Sequence, residues 1–148
     1  MNHDTELASG TYFISGGDFS INGNANVSGE SVTIYLDGDA RVSMNGTSTV
    51  NLTAPTSGEY SGILFFGDRE NSGSQANKFN GTADATLTGA LYFASQEVKY
   101  LGNFAGTSGC TRIVAGTIDW SGNADFSQDC TSLGMRDIPS LQLVRIAE

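Results

Sequence analysis

The chain contains two cysteines, Cys110 and Cys130, whose spacing suits a covalent cross-link. The interval between them equals that between Gly102 and Gly122. Cys110 therefore follows Gly102 by the same number of residues as Cys130 follows Gly122. In a fold of stacked repeats, two equivalent positions of this kind would lie about one strand spacing, roughly 4.8 Å, apart. A disulfide needs a Cα separation of about 4.4–6.8 Å. The spacing therefore favours a Cys110–Cys130 disulfide.

Two other interpretations of the cysteine pair are a metal site and two free thiols. A metal ion needs further ligands, and the one histidine, His3, stands in the polar start of the chain. A disulfide would contribute on the order of 3 kcal/mol by restricting the unfolded chain. It would also indicate an oxidising compartment, the periplasm or the cell exterior. We therefore expect an extracytoplasmic location and no cofactor.

Two carboxylate pairs have a spacing that acid–base chemistry could use. Asp37 with Asp39, and Asp68 with Glu70, are two residues apart, so a strand would present both members of a pair on one face. Paired carboxylates cleave glycosidic bonds, and the first pair could also offer oxygens to calcium. Both pairs border glycine-rich turns, however, where aspartate is a common turn former. We therefore predict no catalytic residues and no metal ligands.

Aromatic residues are spread along the chain, and they could form a sugar-binding strip. The candidates are Tyr12, Tyr35, Tyr60, Tyr92, Tyr100 and Trp120. Tyrosines that are so widely spaced more often fill a core or the edges of coils, because their rings bury large apolar areas. We interpret them as structural.

A short sequence motif recurs along the chain. It consists of an apolar residue, a Gly-Asn or similar corner, a small residue and another apolar residue. Its pivot glycines are Gly23, Gly46, Gly81, Gly102 and Gly122. Asparagines follow three of them, as Asn24, Asn103 and Asn123. The intervals between pivots are similar, except for a longer one between the second and the third. All of them fall within the period of about 20–50 residues that is typical of stacked-repeat folds.

Each repeat is predicted to form one coil of a right-handed parallel β-helix of about five coils. Segments rich in β-branched and aromatic residues, such as residues 31–36, favour strands, and the Gly-Asn corners tolerate positive φ. No window keeps an apolar period of 3.6 residues, so we expect almost no helix. A β-sandwich or jelly roll is the alternative, because short strands with regular turns also fit those folds.

We expect one β-helix domain over residues 10–148, as the C-terminal part of a longer envelope protein. Residues 1–9 are polar, and we interpret them as a disordered start introduced by cloning. The tail at residues 138–146 alternates apolar and polar residues. It is predicted to form a last strand that caps one end or runs back along the body.

Two insertions interrupt the repeat, at residues 54–61 and 68–77. Insertions in repeat folds map to surface loops, which often carry contacts. We predict that the second insertion contacts a partner, through Asp68, Arg69, Glu70 and Asn71.

The composition excludes several kinds of partner. The chain has 148 residues, 39% of them hydrophobic, which is enough for one domain with a core. Acidic residues outnumber basic ones by 16 to 7, for a net charge of −9. Phosphate binding requires a basic surface, so we expect no nucleic-acid partner. No apolar run reaches the roughly 20 residues of a membrane span, so a membrane would be reached only through an N-terminal anchor outside this sequence.

Several stretches carry a family resemblance. The most specific are Ala54-Pro55-Thr56-Ser57-Gly58 and Gly89-Ala90-Leu91-Tyr92-Phe93. Further stretches lie at residues 10–14, 21–25, 32–36, 62–69, 106–111, 113–115 and 143–144. Together they resemble the C-terminal region of TadG-like proteins of bacterial tight-adherence (Flp-type) pilus assembly, over most of the chain.

The resemblance implies an N-terminal membrane helix and a long extracytoplasmic part, and it carries no established catalytic residues. It also implies other pilus-assembly or envelope proteins as partners. We therefore expect a non-enzymatic structural or adhesive module, with the β-helix as a rigid spacer or docking surface. The alternatives are a carbohydrate-binding or carbohydrate-cleaving β-helix and a β-helix that polymerises end to end.

Overall fold

A computed structural model describes residues 1–45, 47–71, 73–82, 84–102, 110–122 and 130. Within these residues, all regular secondary structure is β-strand. The strands are β1 (Thr5–Leu7), β2 (Gly10–Ser15), β3 (Asp18–Ile21), β4 (Asn26–Gly29), β5 (Val32–Asp37), β6 (Arg41–Met44), β7 (Thr49–Thr53), β8 (Ile63–Gly67), β9 (Asn77–Gly81), β10 (Thr86–Gly102) and β11 (Thr111–Ser121). The predicted tail strand at residues 138–146 lies outside the described residues.

The strands stack in three columns, because each turn of the chain supplies one strand to each column. The first column contains β1, β4, β7 and residues 86–88 of β10. The second contains β2, β5, β8, residues 89–93 of β10 and residues 111–115 of β11. The third contains β3, β6, β9, residues 98–102 of β10 and residues 117–121 of β11. The long strands β10 and β11 thus each contribute to more than one column.

This arrangement is a parallel β-solenoid of about five turns, which confirms the predicted parallel β-helix against the sandwich alternative. Near the two ends of the described solenoid, Thr11 pairs with Thr33 and Tyr100 pairs with Trp120. The offsets of these pairs along the chain match the predicted repeat. The offset is longer in the middle of the chain, where Ser43 pairs with Lys78, because both insertions fall in this turn.

Alternate strand residues point into the solenoid and build one apolar core. Ile34 of β5 is fully buried, for example, while its neighbour Tyr35 is half-buried. The largest fully buried side chains are Phe65, Phe79 and Phe93, and Phe79 contacts the other two edge to face, with ring centroids 5.2 and 5.9 Å apart. Pairs of this geometry contribute about 0.5–1.5 kcal/mol beyond the area that they bury. The core therefore fixes the stacking of the turns.

The solenoid begins earlier than the sequence predicts. Strand β1 lies within residues 1–9, the segment expected to be disordered, and pairs with β4. The carboxylate of Asp4 accepts hydrogen bonds from the backbone N–H and the side-chain amide of Asn26, at 2.9 and 3.2 Å. Leu7 packs against the core. These contacts explain why a polar segment forms the first strand.

The start of the chain also covers the open edge of β3. The N-terminal ammonium of Met1 donates to the carbonyl oxygen of Ser20. The carbonyl oxygen of Met1 accepts the backbone N–H of Asn22 at 2.9 Å. Met1 therefore occupies hydrogen-bonding groups that a further strand would need.

Candidate functional site

Four successive turns each direct one aromatic side chain outward from the second column. They are Phe13 of β2, Tyr35 of β5, Phe66 of β8 and Tyr92 of β10, and the strand register places each beside the next. They point outward because the residues that alternate with them line the core. We call these four residues the aromatic ladder.

The rings of the aromatic ladder are in contact along its length. The ring centroids are 5.2 Å apart for Phe13 and Tyr35, 5.1 Å for Tyr35 and Phe66, and 5.0 Å for Phe66 and Tyr92. The last two pairs are stacked, with interplanar angles of 23° and 15°. Phe13 is 68% exposed. The ladder therefore presents stacked ring edges to its surroundings and an open ring at the Phe13 end.

The first insertion folds back onto the ladder through Tyr60. The Tyr60 ring meets the rings of Tyr35 and Phe66 at steep angles, with centroids 6.1 and 6.2 Å away. A hydrogen bond of 2.7 Å from the Gly62 N–H to the Pro55 carbonyl oxygen closes the insertion. Tyr60 thus extends the aromatic surface beyond the four ladder positions.

Asp68 and Tyr35 form the strongest polar contact of the site. The Tyr35 hydroxyl donates to the Asp68 carboxylate at 2.5 Å, and the Glu70 N–H donates to the same carboxylate at 2.8 Å. The hydrogen bond from Tyr35, followed by that from Glu70, lowers the pKa of Asp68. The hydrogen bond to Asp68, together with burial, raises the pKa of Tyr35 to about 12. At neutral pH this contact places a fixed negative charge beside the ladder.

Asp37 is a second carboxylate at this border. It is exposed, and it accepts hydrogen bonds from the Gly38 N–H at 2.7 Å and from the Ser15 hydroxyl at 3.4 Å. Its charge also contributes to the raised pKa of Tyr35. Asp37 and Asp68 directly follow Leu36 and Gly67, which are paired in adjacent turns. The two carboxylates therefore form an acidic border beside the ladder.

Arg69 lies against the other end of the ladder. Its Nε donates to the Tyr92 hydroxyl at 2.9 Å, and its Cζ lies 5.8 Å from the centroid of the Tyr92 ring. The Ser95 hydroxyl donates to the Arg69 carbonyl oxygen at 2.8 Å. A guanidinium at this distance is attracted to an aromatic ring. Arg69 therefore belongs to the ladder surface.

The predicted partner loop, residues 68–77, is anchored to the solenoid. Asn71 is buried, its side-chain N–H donates to the Ala40 carbonyl oxygen at 2.8 Å, and its side-chain oxygen accepts from Gln96 at 3.0 Å. Glu70 is exposed. Three of the four predicted contact residues thus have side-chain partners within the chain. The ladder beside the loop offers the more open surface.

Three of the pivot glycines, Gly23, Gly102 and Gly122, have a positive φ. Gly102 pairs with Gly81 and has φ +99°, and a Cβ on Gly102 would lie 2.5 Å from the Gly81 carbonyl oxygen. Gly122 has φ +111° and lies over Gly102 in the same way. Gly23 has φ +70°, and Asn24 beside it is exposed. Three predicted corner residues lie outside the described residues: Gly46, Asn103 and Asn123.

Cys110 and Cys130 form a disulfide, as the repeat spacing predicts. Their Cα atoms are 5.2 Å apart, and both side chains are buried. The Gly89 N–H donates to the Cys110 carbonyl oxygen at 2.7 Å, which ties the cysteine to the preceding turn. The disulfide therefore cross-links consecutive turns at the C-terminal end of the described solenoid.

One carboxylate of each predicted pair, Asp37 and Asp68, accepts hydrogen bonds within the chain. Asp68 is bonded as described above, and Asp39 lines a cavity of about 200 Å³ next to the ion pair of Asp18 and Arg41, whose atoms are 2.7 Å apart. A general acid needs a raised pKa, whereas the pKa of Asp68 is lowered. Within the described ranges, no group of three or more His, Cys, Asp or Glu side chains could hold a metal ion.

The aromatic residues that the sequence suggested as fillers divide between the core and the surface. Tyr12 and Tyr100 pack in or against the core, whereas Tyr35, Tyr60 and Tyr92 form the outer surface of the ladder. Trp120 is also exposed, and its ring centroid lies 5.5 Å from that of Tyr100. The sequence interpretation missed Phe13 and Phe66, which complete the ladder. One signal could have found them, because an aromatic residue stands at the outward position of four successive apolar strands.

Comparisons with protein-family models, with curated proteins and with solved structures found no match. In the part of the chain that the structure describes, no helix has the length and hydropathy to cross a membrane. The function is therefore inferred from the geometry of the site.

Proposed function

We propose that the chain is a non-enzymatic adhesive or docking module of an extracytoplasmic envelope protein. The aromatic ladder carries this proposal, because it aligns four rings along the outside of the solenoid and leaves Phe13 68% exposed. Apolar patches with a polar border are typical of interaction sites. The stacked turns hold the rings at a fixed spacing, so that the surface is preorganised for binding.

The location and the biological setting have separate support. A disulfide supports an oxidising compartment, outside the cytoplasm. The resemblance to TadG-like proteins supports a role in tight-adherence pilus assembly, with other pilus-assembly or envelope proteins as partners. In this setting the solenoid acts as a rigid spacer that presents the aromatic ladder.

The two alternatives have less geometric support. A carbohydrate-cleaving site would need a carboxyl group with a raised pKa, and Asp68 has a lowered one. End-to-end polymerisation would need open strand edges, and Met1 covers one of the three strand edges of the first turn, that of β3, through Ser20 and Asn22. Docking through the ladder requires neither feature.

Replacement of the two outermost rings tests the proposed function. Phe13→Ser and Tyr60→Ser would be introduced together into the full-length protein of the bacterium that encodes it. A ring that anchors an interface contributes more than about 1 kcal/mol, so the loss of both rings should lower surface attachment at least about tenfold. Attachment is measured as cells retained after washing, and the level of disulfide-bonded protein is followed by non-reducing immunoblot.

Asn51→Ser serves as the matched control, because Asn51 is exposed on β7 of the first column, away from the ladder. This variant should attach like the native strain. Unchanged attachment of the double variant, at a normal level of disulfide-bonded protein, would contradict the proposed function.

A further inference from the structure

We propose that the aromatic ladder binds a basic peptide segment of its partner, in which Arg or Lys side chains stand next to an aromatic residue. The inference rests on the proposed function, because it names the class of partner for the same surface. Three observations carry it: the orientation of the rings, the groups that already contact them, and the charge of the border.

In the middle of the ladder, the ring orientation disfavours ligands that stack flat. Both faces of Phe66 are covered, by Tyr35 at 5.1 Å and by Tyr92 at 5.0 Å. A sugar ring or a nucleobase needs an open aromatic face, whereas ring edges accept another ring in edge-to-face contact. The apolar stems of Lys and Arg can also lie along such a surface while their charged ends stay in water.

The chain itself shows two groups that the ladder accepts. Tyr60 meets Tyr35 and Phe66 at steep ring angles of 74° and 63°. Arg69 lies over Tyr92 with its Cζ 5.8 Å from the ring centroid. An aromatic ring and a guanidinium therefore already occupy the middle and one end of the ladder. The Phe13 end is open and can accept the same two kinds of group from a partner.

The charge at the open end favours a basic partner. Asp37 is exposed, is hydrogen-bonded to Ser15 of the strand that carries Phe13, and contributes to the raised pKa of Tyr35. Glu59, which precedes Tyr60, is also exposed. The whole chain has a net charge of −9. An acidic border attracts and orients cationic segments.

Peptide binding to the intact, disulfide-bonded chain tests the inference. The probes are three fluorescent peptides of equal length that alternate arginine with tryptophan, glutamate with tryptophan, or arginine with serine. Fluorescence anisotropy at low and high salt gives the affinities. We expect the arginine–tryptophan peptide to bind most tightly and to weaken as salt rises, because salt screens exposed charges.

Two variants separate the contribution of charge from that of the ring. Asp37→Asn should weaken binding of the arginine–tryptophan peptide about two- to fivefold, as for an exposed ion pair. Phe13→Ser should weaken it about tenfold. Glu6→Gln is the matched control, since Glu6 is an exposed carboxylate on β1 of the first column. It should leave the affinity unchanged.

The failure of this inference is distinguishable from the failure of the proposed function. Equal binding of the glutamate–tryptophan peptide, or an Asp37→Asn effect no larger than that of Glu6→Gln, would overturn the basic class of partner. The same holds if an immobilised oligosaccharide binds through Phe13 and the peptides do not. In these cases the loss of attachment in the ring variants would still support docking. If Phe13→Ser leaves peptide binding unchanged and the double variant Phe13→Ser with Tyr60→Ser leaves attachment unchanged, both proposals are overturned.

Discussion

At the residue scale, the hydrogen bond between Tyr35 and Asp68 joins the ladder to its acidic border. Because the pKa of Tyr35 is raised from 10.0 to about 12, its contribution to stability is fully present below the ordinary value. That contribution is lost as the pH rises through the raised pKa. The pKa of Asp68 is lowered, so its contribution is present above its ordinary value and is lost as the pH falls through the lowered one.

Asp68→Asn should lower the pKa of Tyr35 from about 12 towards its ordinary value of 10.0, because the variant weakens the hydrogen bond that the Tyr35 hydroxyl donates and removes the negative charge beside it. An NMR titration of the ring carbons of labelled tyrosine measures this pKa directly. Asp39→Asn is the control, since Asp39 is not among the causes of the Tyr35 shift. A Tyr35 pKa that stays near 12 in the Asp68 variant would contradict the assigned contact.

The sequence was sufficient to predict the disulfide but not the ladder. Cys110 and Cys130 follow the regular repeat that the pivot glycines define. The ladder residues are unevenly spaced along the chain, because the first insertion lies between Tyr35 and Phe66 and the second between Phe66 and Tyr92. Equal spacing therefore does not identify them, and within the sequence only the alternation of residues along each apolar strand indicates their outward direction.

At the element scale, the corners between strands depend on glycine where consecutive turns come close. Gly102 combines a left-handed φ of +99° with a position where a Cβ would lie 2.5 Å from the Gly81 carbonyl oxygen. Gly23 also has a positive φ, +70°, but a Cβ there would meet no atom within 4 Å. A side chain at Gly102 would therefore introduce both backbone strain and steric overlap, whereas a side chain at Gly23 would introduce backbone strain alone.

Gly102→Ala should lower the free energy of unfolding by about 3 kcal/mol or more, because strain and overlap act together. Gly23→Ala should lower it by only about 1 kcal/mol, the cost of a left-handed conformation for alanine. Urea denaturation followed by circular dichroism measures both values. Similar losses of unfolding free energy in the two variants would contradict the close approach of Gly102 to the Gly81 carbonyl oxygen.

Predictions of whole elements succeeded where the apolar pattern was strong and failed where contacts between turns decide the structure. Strand β5 is rich in β-branched residues and follows the predicted segment closely. Strand β1 contains Thr5, Glu6 and Leu7, and it forms because Asp4 binds Asn26 of the next turn. A contact of this kind cannot be inferred from local residue preference.

At the scale of the whole molecule, a solenoid is stabilised mainly by contacts between neighbouring turns. The Cys110–Cys130 disulfide cross-links the last described turns. By loop-closure entropy its contribution is about 3 kcal/mol. Its effect should therefore be concentrated at this end of the molecule.

Cys110→Ser with Cys130→Ser should speed amide hydrogen exchange in β11 (Thr111–Ser121) much more than in β2 or β5, which lie at the opposite end. Exchange followed by mass spectrometry on the native chain and on the double variant measures this difference. An equal loss of protection in all three strands would contradict a turn-by-turn distribution of stability.

Both the solenoid register and the proposed docking surface depend on the alignment of the aromatic ladder. Nuclear Overhauser contacts between the aromatic ring protons of the native chain measure this alignment. We expect contacts from Phe13 to Tyr35, from Tyr35 to Phe66 and from Phe66 to Tyr92, with ring centroids 5.2, 5.1 and 5.0 Å apart. Absence of the Tyr35–Phe66 contact, or a contact of Phe13 with a core ring instead, would contradict both the register and the surface.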